Sequence, residues 1–448
     1  MNWPHLLSSN RTGQKQSTHE QSRSAFEQDY DRIIFSHPFR KLQDKTQVHP
    51  LPELDFVHTR LTHSLEVSSV GRSLGKRVGE VILQRHPELN QNFSLFDFGA
   101  IVAAASLAHD IGNPPFGHAG EDAISDFFVH HPQGQSFKDK VSEAEWNDLI
   151  KFEGNAQGFR LLTKNQYGLK LTFATLGAFT KYPCPSLFPQ RDKLKRSQKK
   201  FGFFQTEKEL FIEVAQQLEL LQSTDASFRH PLAFLVEAAD DICYSIIDLE
   251  DGCSLGLVRY EEAKVLFEGV ITKSKSKLGK LEQLGSQQEK IGYLRALAIG
   301  DLMDECSSLF LEKEAEILSG KFDLALADHC PSKDALKNII SVSRSKIYQA
   351  RQVVEIEAAG HEVLPGLLEE FTKTGVYLMQ ETSLSGRQAR SRKYQNLQLL
   401  LPQEVQLNIK AQPQNVYFML RNIIDFISGL TDRHALSVYR KIKGISLT

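Results

Sequence analysis

The stretch 107–121, LAHDIGNPPFGHAGE, decides how this chain is read. It leaves a small, apolar run, AIVAAASLA at 100–108, which suits a helix buried on most sides. It then breaks into a turn rich in glycine and proline. His109 and Asp110 stand at the end of that helix, and neighbours in sequence reach one ion only where the backbone turns. A neutral imidazole beside a carboxylate suits a borderline or hard divalent metal. A bare His-Asp pair is also explained by a capping His and a turn-forming Asp, so the surroundings must decide. Pro114, Pro115 and Gly117 fold the chain back and bring His118 over the same point. Glu121 follows three residues later and shares a helical face with His118. A carboxylate bonded to an imidazole raises its pKa and fixes its orientation, which suits proton transfer near neutrality.

Upstream, the apolar spacing of 60–85 predicts a helix, with Arg60 and His63 on one face. A guanidinium there suits phosphate oxygens. Downstream, EAADDICYSIIDLED at 237–251 sets carboxylates among apolar neighbours. Asp240 in such a helix needs a partner, because an unpaired buried carboxylate is very costly. Asp240, Tyr244 and Asp248 lie at i, i+4 and i+8, on one face. Asp241 is the rival ligand, but only the phase of Asp240 keeps Tyr244 and Asp248 in register.

Helical patterns recur near 119–130, 153–163, 207–222, 230–249, 259–281, 288–318, 333–358, 361–379 and 414–428. FGFF at 201–204 is one short strand candidate. The expectation is an all-α protein: a polar, loose N-terminal arm over 1–28, a core over 29–330, and a helical C-terminal region over 331–448 packed on it.

Composition removes several function classes. The 53 basic and 55 acidic residues leave a net charge of -2, against a surface built wholly for nucleic acid. Two basic runs, 191–200 and 387–393, remain as solvated loops or as lips for phosphate or nucleic acid. The 5 cysteines form no CxxC pair, which fits a reducing cytoplasm. The first 30 residues hold no apolar leader, and no apolar run is long enough for a membrane. P-loop, GxGxxG and GxSxG signatures are absent.

Several phrases carry a resemblance: FRKLQDKTQV (39–48), RLTHSLEV (60–67), HDIGNPPFGHAGE (109–121), EAADDICYSIIDLED (237–251) and GLTDRHAL (429–436). Together they resemble the deoxyguanosine triphosphate triphosphohydrolases of the HD superfamily. The resemblance implies an HD-type helical bundle with additional C-terminal helices. It implies one divalent ion (Mn, Mg, Ni, Fe or Co) held by His63, His109, Asp110 and Asp240. His118 matches the catalytic histidine and Glu121 its partner. Gln47, Tyr244 and Asp248 match residues around the deoxyribose 3′-hydroxyl. Arg60, and Lys200 at the end of the first basic run, are expected to meet the phosphates. The implied reaction releases a deoxynucleoside and tripolyphosphate from a dNTP, with dGTP the expected substrate. A cytoplasmic homo-oligomer, hexameric in many members, is implied, and a nucleotide or single-stranded DNA effector stays open. Asn113 stands where many HD hydrolases carry a second histidine, which argues against a two-metal phosphodiesterase. The rival readings are another HD phosphohydrolase (a 5′-nucleotidase or phosphodiesterase) and a nucleic-acid-binding protein with a regulatory HD site.

Overall fold

The computed structural model describes residues 1–13, 23–48, 58–164, 167–189, 191–192, 194–223, 226–381 and 391–445. Helices dominate it, and pairing between extended segments is limited to isolated bridges. Phe203 of the strand candidate makes one such bridge, to Pro185, so 201–204 forms no strand. The helices that build or brace the site are α1 (Ala25–Ile34), α2 (Arg60–Arg85), α3 (Leu95–Ala108), α4 (Gly117–His130), α5 (Gly154–Thr163), α6 (Pro231–Ser254), α7 (Gln287–Glu312), α8 (Lys333–Val342), α9 (Arg351–Glu381), α10 (Val416–Ser428) and α11 (Asp432–Ile442).

Two apolar clusters hold them. The first gathers α1, α2, α3, α6, α7 and α8. Helix α3 is its axis: every residue from Ile101 to Ala108 is buried, as its all-round apolar sequence requires. Gly75 of α2 lets α3 come close, since a Cβ there would lie 2.6 Å from the Phe98 carbonyl. The second cluster gathers α4, α9, α10 and α11 with Phe201 and Phe204. The turn from Asp110 to Gly117 passes from one cluster to the other.

Three expectations need correction. The N-terminal segment is not a loose arm where it is described. Trp3, Leu6 and Leu7 are buried, and the His230 ring donates from Nε2 to the Leu6 carbonyl at 2.9 Å. Arg11 pairs with buried Asp29. Residues 14–22 lie outside the described residues. The helix expected over 333–358 is broken: α8 ends at Val342, a wider turn spans Ser343–Ile347, and α9 starts afresh at Arg351. Helix α8 packs in the first cluster, so the C-terminal layer begins with α9 and not at 331.

Candidate active site

A Thr59–Thr62 capping box starts α2, so Arg60 and His63 occupy its first turn. The end of α3 supplies His109 and Asp110, and the middle of α6 supplies Asp240. Nitrogen Nε2 of His63 lies 3.3 Å from Oδ1 of Asp240. Nitrogen Nε2 of His109 lies 3.4 Å from that same oxygen and 3.6 Å from Oδ1 of Asp110. One ligand atom each from His63, His109 and Asp110 fall within 4.8 Å of one another. Two imidazoles and the Asp110 carboxylate thus converge closely enough to share one ion, and Asp240 stands against both imidazoles from α6. His109 donates from Nδ1 to the Ser106 carbonyl at 2.7 Å, which turns Nε2 inward, as metal-binding histidines require. Burial alone would lower His109, but Asp110 and Asp240 outweigh it and raise it to about 9. The cluster therefore attracts positive charge, and the donor set fits a divalent cation. Asp240, not Asp241, faces the imidazoles. Against its burial, His109 and His63 hold Asp240 well below the usual carboxylate range. Burial raises Asp241 to about 7.

Arg60 donates from Nη1 to Oδ2 of Asp110 at 2.9 Å, so it is tied to the cluster and not free. Its Nε is buried without a partner. Gly117 admits this guanidinium: its φ is +59°, and a Cβ would lie 2.8 Å from Arg60 Nη2. His118 follows at the start of α4, and solvent reaches its ring. Desolvation together with Lys200 and Arg60 lowers its pKa. The expected Glu121–His118 bond does not form. Glu121 turns inward and accepts from the Gly154 amide at 2.6 Å, while Lys200 sits 3.6 Å from it. Burial and neighbouring Glu153 raise Glu121 to about 7. Helical spacing placed the two side chains on one side of α4, but α5 offers Glu121 a backbone donor that spacing could not reveal.

Lys200 also meets Glu153 at 2.9 Å, so it belongs to a carboxylate cluster beside His118. Two arginines of the basic run around it are built in, while Leu194, Lys195 and Lys199 are exposed. Arg191 donates to the Pro185, Gln198 and Lys200 carbonyls, and Arg196 to Glu237. Most of the second run, 387–390, lies outside the described residues.

Tyr244 and Asp248 follow Asp240 along α6 as the phase required. A third residue joins them that sequence reasoning missed. Tyr348 donates its hydroxyl to Asp248 Oδ2 at 2.7 Å, and its ring lies 5.6 Å from that of Tyr244. Burial raises Asp248 to about 8, so near neutrality it is largely a carboxylic acid able both to donate and to accept. Gln47 leaves Oε1 buried without a partner, and no contact joins it to Tyr244 or Asp248 among the described residues. Lys181 was missed as well. Its ammonium lies 3.3 Å from Glu237 and is held charged, against its burial, by Tyr182, Glu237, Asp241 and Asp240. Lys181 lies outside the patterned segments, and Tyr348 stands just past the turn that breaks the helix expected over 333–358, so tertiary placement alone identifies them.

Residues 60–151 match the HD domain, and residues 391–441 match the phosphohydrolase-associated domain. The chain is 43% identical over 460 residues to a deoxyguanosinetriphosphate triphosphohydrolase-like protein of Synechocystis, covering 100% of both chains. It is 40% identical over 459 residues to a protein of the same description from Pseudomonas aeruginosa, covering 100% of this chain and 99% of the relative. It is 32% identical over 478 residues to the deoxyguanosinetriphosphate triphosphohydrolase of Yersinia pseudotuberculosis, covering 93% of each.

Proposed function

The chain belongs to the HD-domain family of deoxyguanosinetriphosphate triphosphohydrolase-like hydrolases, and from that premise we propose that it cleaves deoxynucleoside triphosphates, dGTP first among them, to deoxynucleoside and tripolyphosphate. The observation that carries this reading is the convergence of His63, His109, Asp110 and Asp240 beside Arg60 and within the electrostatic reach of His118. Those four side chains would hold one divalent ion (Mn, Mg, Ni, Fe or Co), which supplies Lewis acidity at the α-phosphate and acidifies water.

The chain's own residues do the rest. Arg60 is permanently charged and anchored by Asp110, so it meets phosphate oxygens without reorganising. Lys181 adds a second, half-buried cation, paired with Glu237 and within the electrostatic reach of Asp240. Water attacks the α-phosphorus, the bond from phosphorus to the 5′-oxygen breaks, and that oxygen takes a proton from His118. Burial, with Lys200 and Arg60, lowers the pKa of His118 while the site is empty of substrate. An arriving triphosphate opposes that field and favours the charged imidazole, which loads the proton where it is needed. Tyr244 packs on the sugar, while Asp248 and Gln47 bind the 3′-hydroxyl. A homo-oligomer, hexameric by family resemblance, and a cytoplasmic location belong to the same proposal. Among the described residues no helix is long and apolar enough to cross a membrane.

The test is hydrolysis of dGTP, GTP and 2′,3′-dideoxy-GTP by the wild-type protein, with and without added dNTPs or single-stranded DNA. Cleavage of dGTP well above the other two supports the sugar pocket. Equal kcat/KM for GTP and dGTP would contradict it and favour a broad nucleotide phosphohydrolase.

A further inference from the structure

The segment GLTDRHAL, 429–436, lies far along the chain from every residue assigned a chemical role, yet it touches two of the segments that carry them. Asp432 opens α11 and is 1% exposed. Its Oδ1 accepts from the Phe116 amide at 3.0 Å, and its Oδ2 accepts from the Thr46 amide at 2.9 Å. Phe116 lies two residues before His118, and Thr46 lies one residue before Gln47. One carboxylate thus joins the turn that presents the proton donor to the segment that presents the sugar-binding glutamine.

The neighbouring backbone adds to the grip. The Lys41 ammonium donates to the Gly429 carbonyl at 2.7 Å. The Lys45 ammonium donates to Ser428 at 2.9 Å and to Asn113 at 2.5 Å, again bridging the C-terminal turn and the 113–116 turn. Phe116 needs holding: its φ is +65°, a left-handed conformation that a phenylalanine rarely adopts. Helix α9 leaves room for it at Gly360, where a Cβ would lie 3.0 Å from the Phe116 Cβ. Asp432 is not occupied in capping its own helix, because Thr431 accepts from the His434 amide and fills that role. Bonds from amides to a carboxylate are among the stronger ones, and the carboxylate is buried here.

We infer that Asp432 is a positioning residue: it sets the spacing between the proton-donating turn at 116–118 and the sugar-binding segment at 46–47, so the C-terminal layer completes the active site. This rests on the roles given above to His118 and Gln47. Asp432→Asn keeps the shape but turns an NH₂ group against one of the two amides. The expected result is a fall in kcat for dGTP of about 10- to 100-fold, the scale of a small misplacement. A narrowed ratio of kcat/KM between dGTP and 2′,3′-dideoxy-GTP should accompany it, with metal content unchanged. Amide hydrogen exchange should quicken at Phe116 and Thr46. Thr431→Ala, which removes only the cap of α11, should lower the melting temperature and leave the substrate ratio as it was. Should Asp432→Asn fail to fold, Asp432→Glu keeps the charge while displacing both oxygens, and the same signature is expected. Unaltered exchange at both amides, or unaltered kcat and substrate ratio, would overturn the inference. If wild-type protein releases no tripolyphosphate from dGTP, the functional reading fails by itself; the clamp is then judged from the two amides and from whichever nucleotide is turned over.

Discussion

In the proposed mechanism His118 separates binding from chemistry. It touches no member of the His63–His109–Asp110–Asp240 cluster, yet Lys200 and Arg60 act on its charge. His118→Ala should lower kcat about 10²–10⁴-fold, the usual loss for a general acid or base, with metal content by elemental analysis unchanged. Turnover near wild type would remove it from the mechanism. A second histidine makes a prediction about stability. His58 bonds to Asp251 at 2.9 Å and faces Glu66 at 3.3 Å. Burial would lower its pKa, but those two carboxylates raise it to about 10. The folded protein then binds this proton more tightly than the unfolded chain, where histidine titrates near 6.5. Its contribution is complete below about pH 6.5 and is lost as pH rises towards about 10. The gap in unfolding free energy between wild type and His58→Gln should therefore shrink over that range; a gap independent of pH would sink the assignment. At this scale, the residues legible in the sequence were those whose type is costly where it stands, such as Asp240 in an apolar helix. Lys181 and Tyr348 escaped notice because nothing local is unusual about either. Their meaning comes from Glu237 and Asp248, which only the fold brings to them.

Helix α6 arranges its chemistry by phase. Asp240, Tyr244 and Asp248 repeat every four residues, so one face meets the imidazoles at one level and Tyr348 two turns later. Leaving a buried polar group unpaired costs about 1–3 kcal/mol, or roughly 5–150-fold in binding. A 3′-deoxy analogue should therefore be handled worse than dGTP by about that factor, and Asp248→Ala should narrow the gap, as read from kcat/KM for the two nucleotides. A gap that survives Asp248→Ala intact would place the hydroxyl elsewhere. The helices with strong apolar spacing, such as α2, α6 and α10, were legible in advance. The end of α8 was not: SVSRSKI contains no glycine or proline, and the break at 343–350 follows from Ile347 turning back into the first cluster. Pro365 sits inside the helix expected over 361–379, and the structure keeps it within α9. A proline inside a helix costs about 3 kcal/mol, yet α9 runs through it because Val363, Leu364, Leu367 and Leu368 bury its apolar face.

The molecule as a whole is two apolar clusters with the site where the chain crosses between them. The metal-type ligands stand on the first, and His118 stands on α4 in the second. A buried ionic knot ties α10 to α5: Asp425 accepts from Arg160 at 2.7 Å, Lys164 at 2.8 Å and Gln157 at 2.9 Å. Removing one partner of a buried ion pair costs about 3–5 kcal/mol, because the charges left behind have no counterpart. Asp425→Ala should lose stability on that scale in urea unfolding, and a loss below about 1 kcal/mol would show that the knot is dispensable. This seam was not legible beforehand, since Arg160 and Asp425 are 265 residues apart and each reads alone as a surface charge. What the assembled site does to a nucleotide is read from the products. The most direct measurement is ³¹P NMR of the products of dGTP in ¹⁸O-enriched water, run on metal-stripped protein before and after each divalent ion is restored. Tripolyphosphate carrying one ¹⁸O at a terminal phosphorus is expected, formed only with metal and not by His63→Ala. Orthophosphate or pyrophosphate as the first product, or equal turnover by stripped protein, would contradict the proposed cleavage.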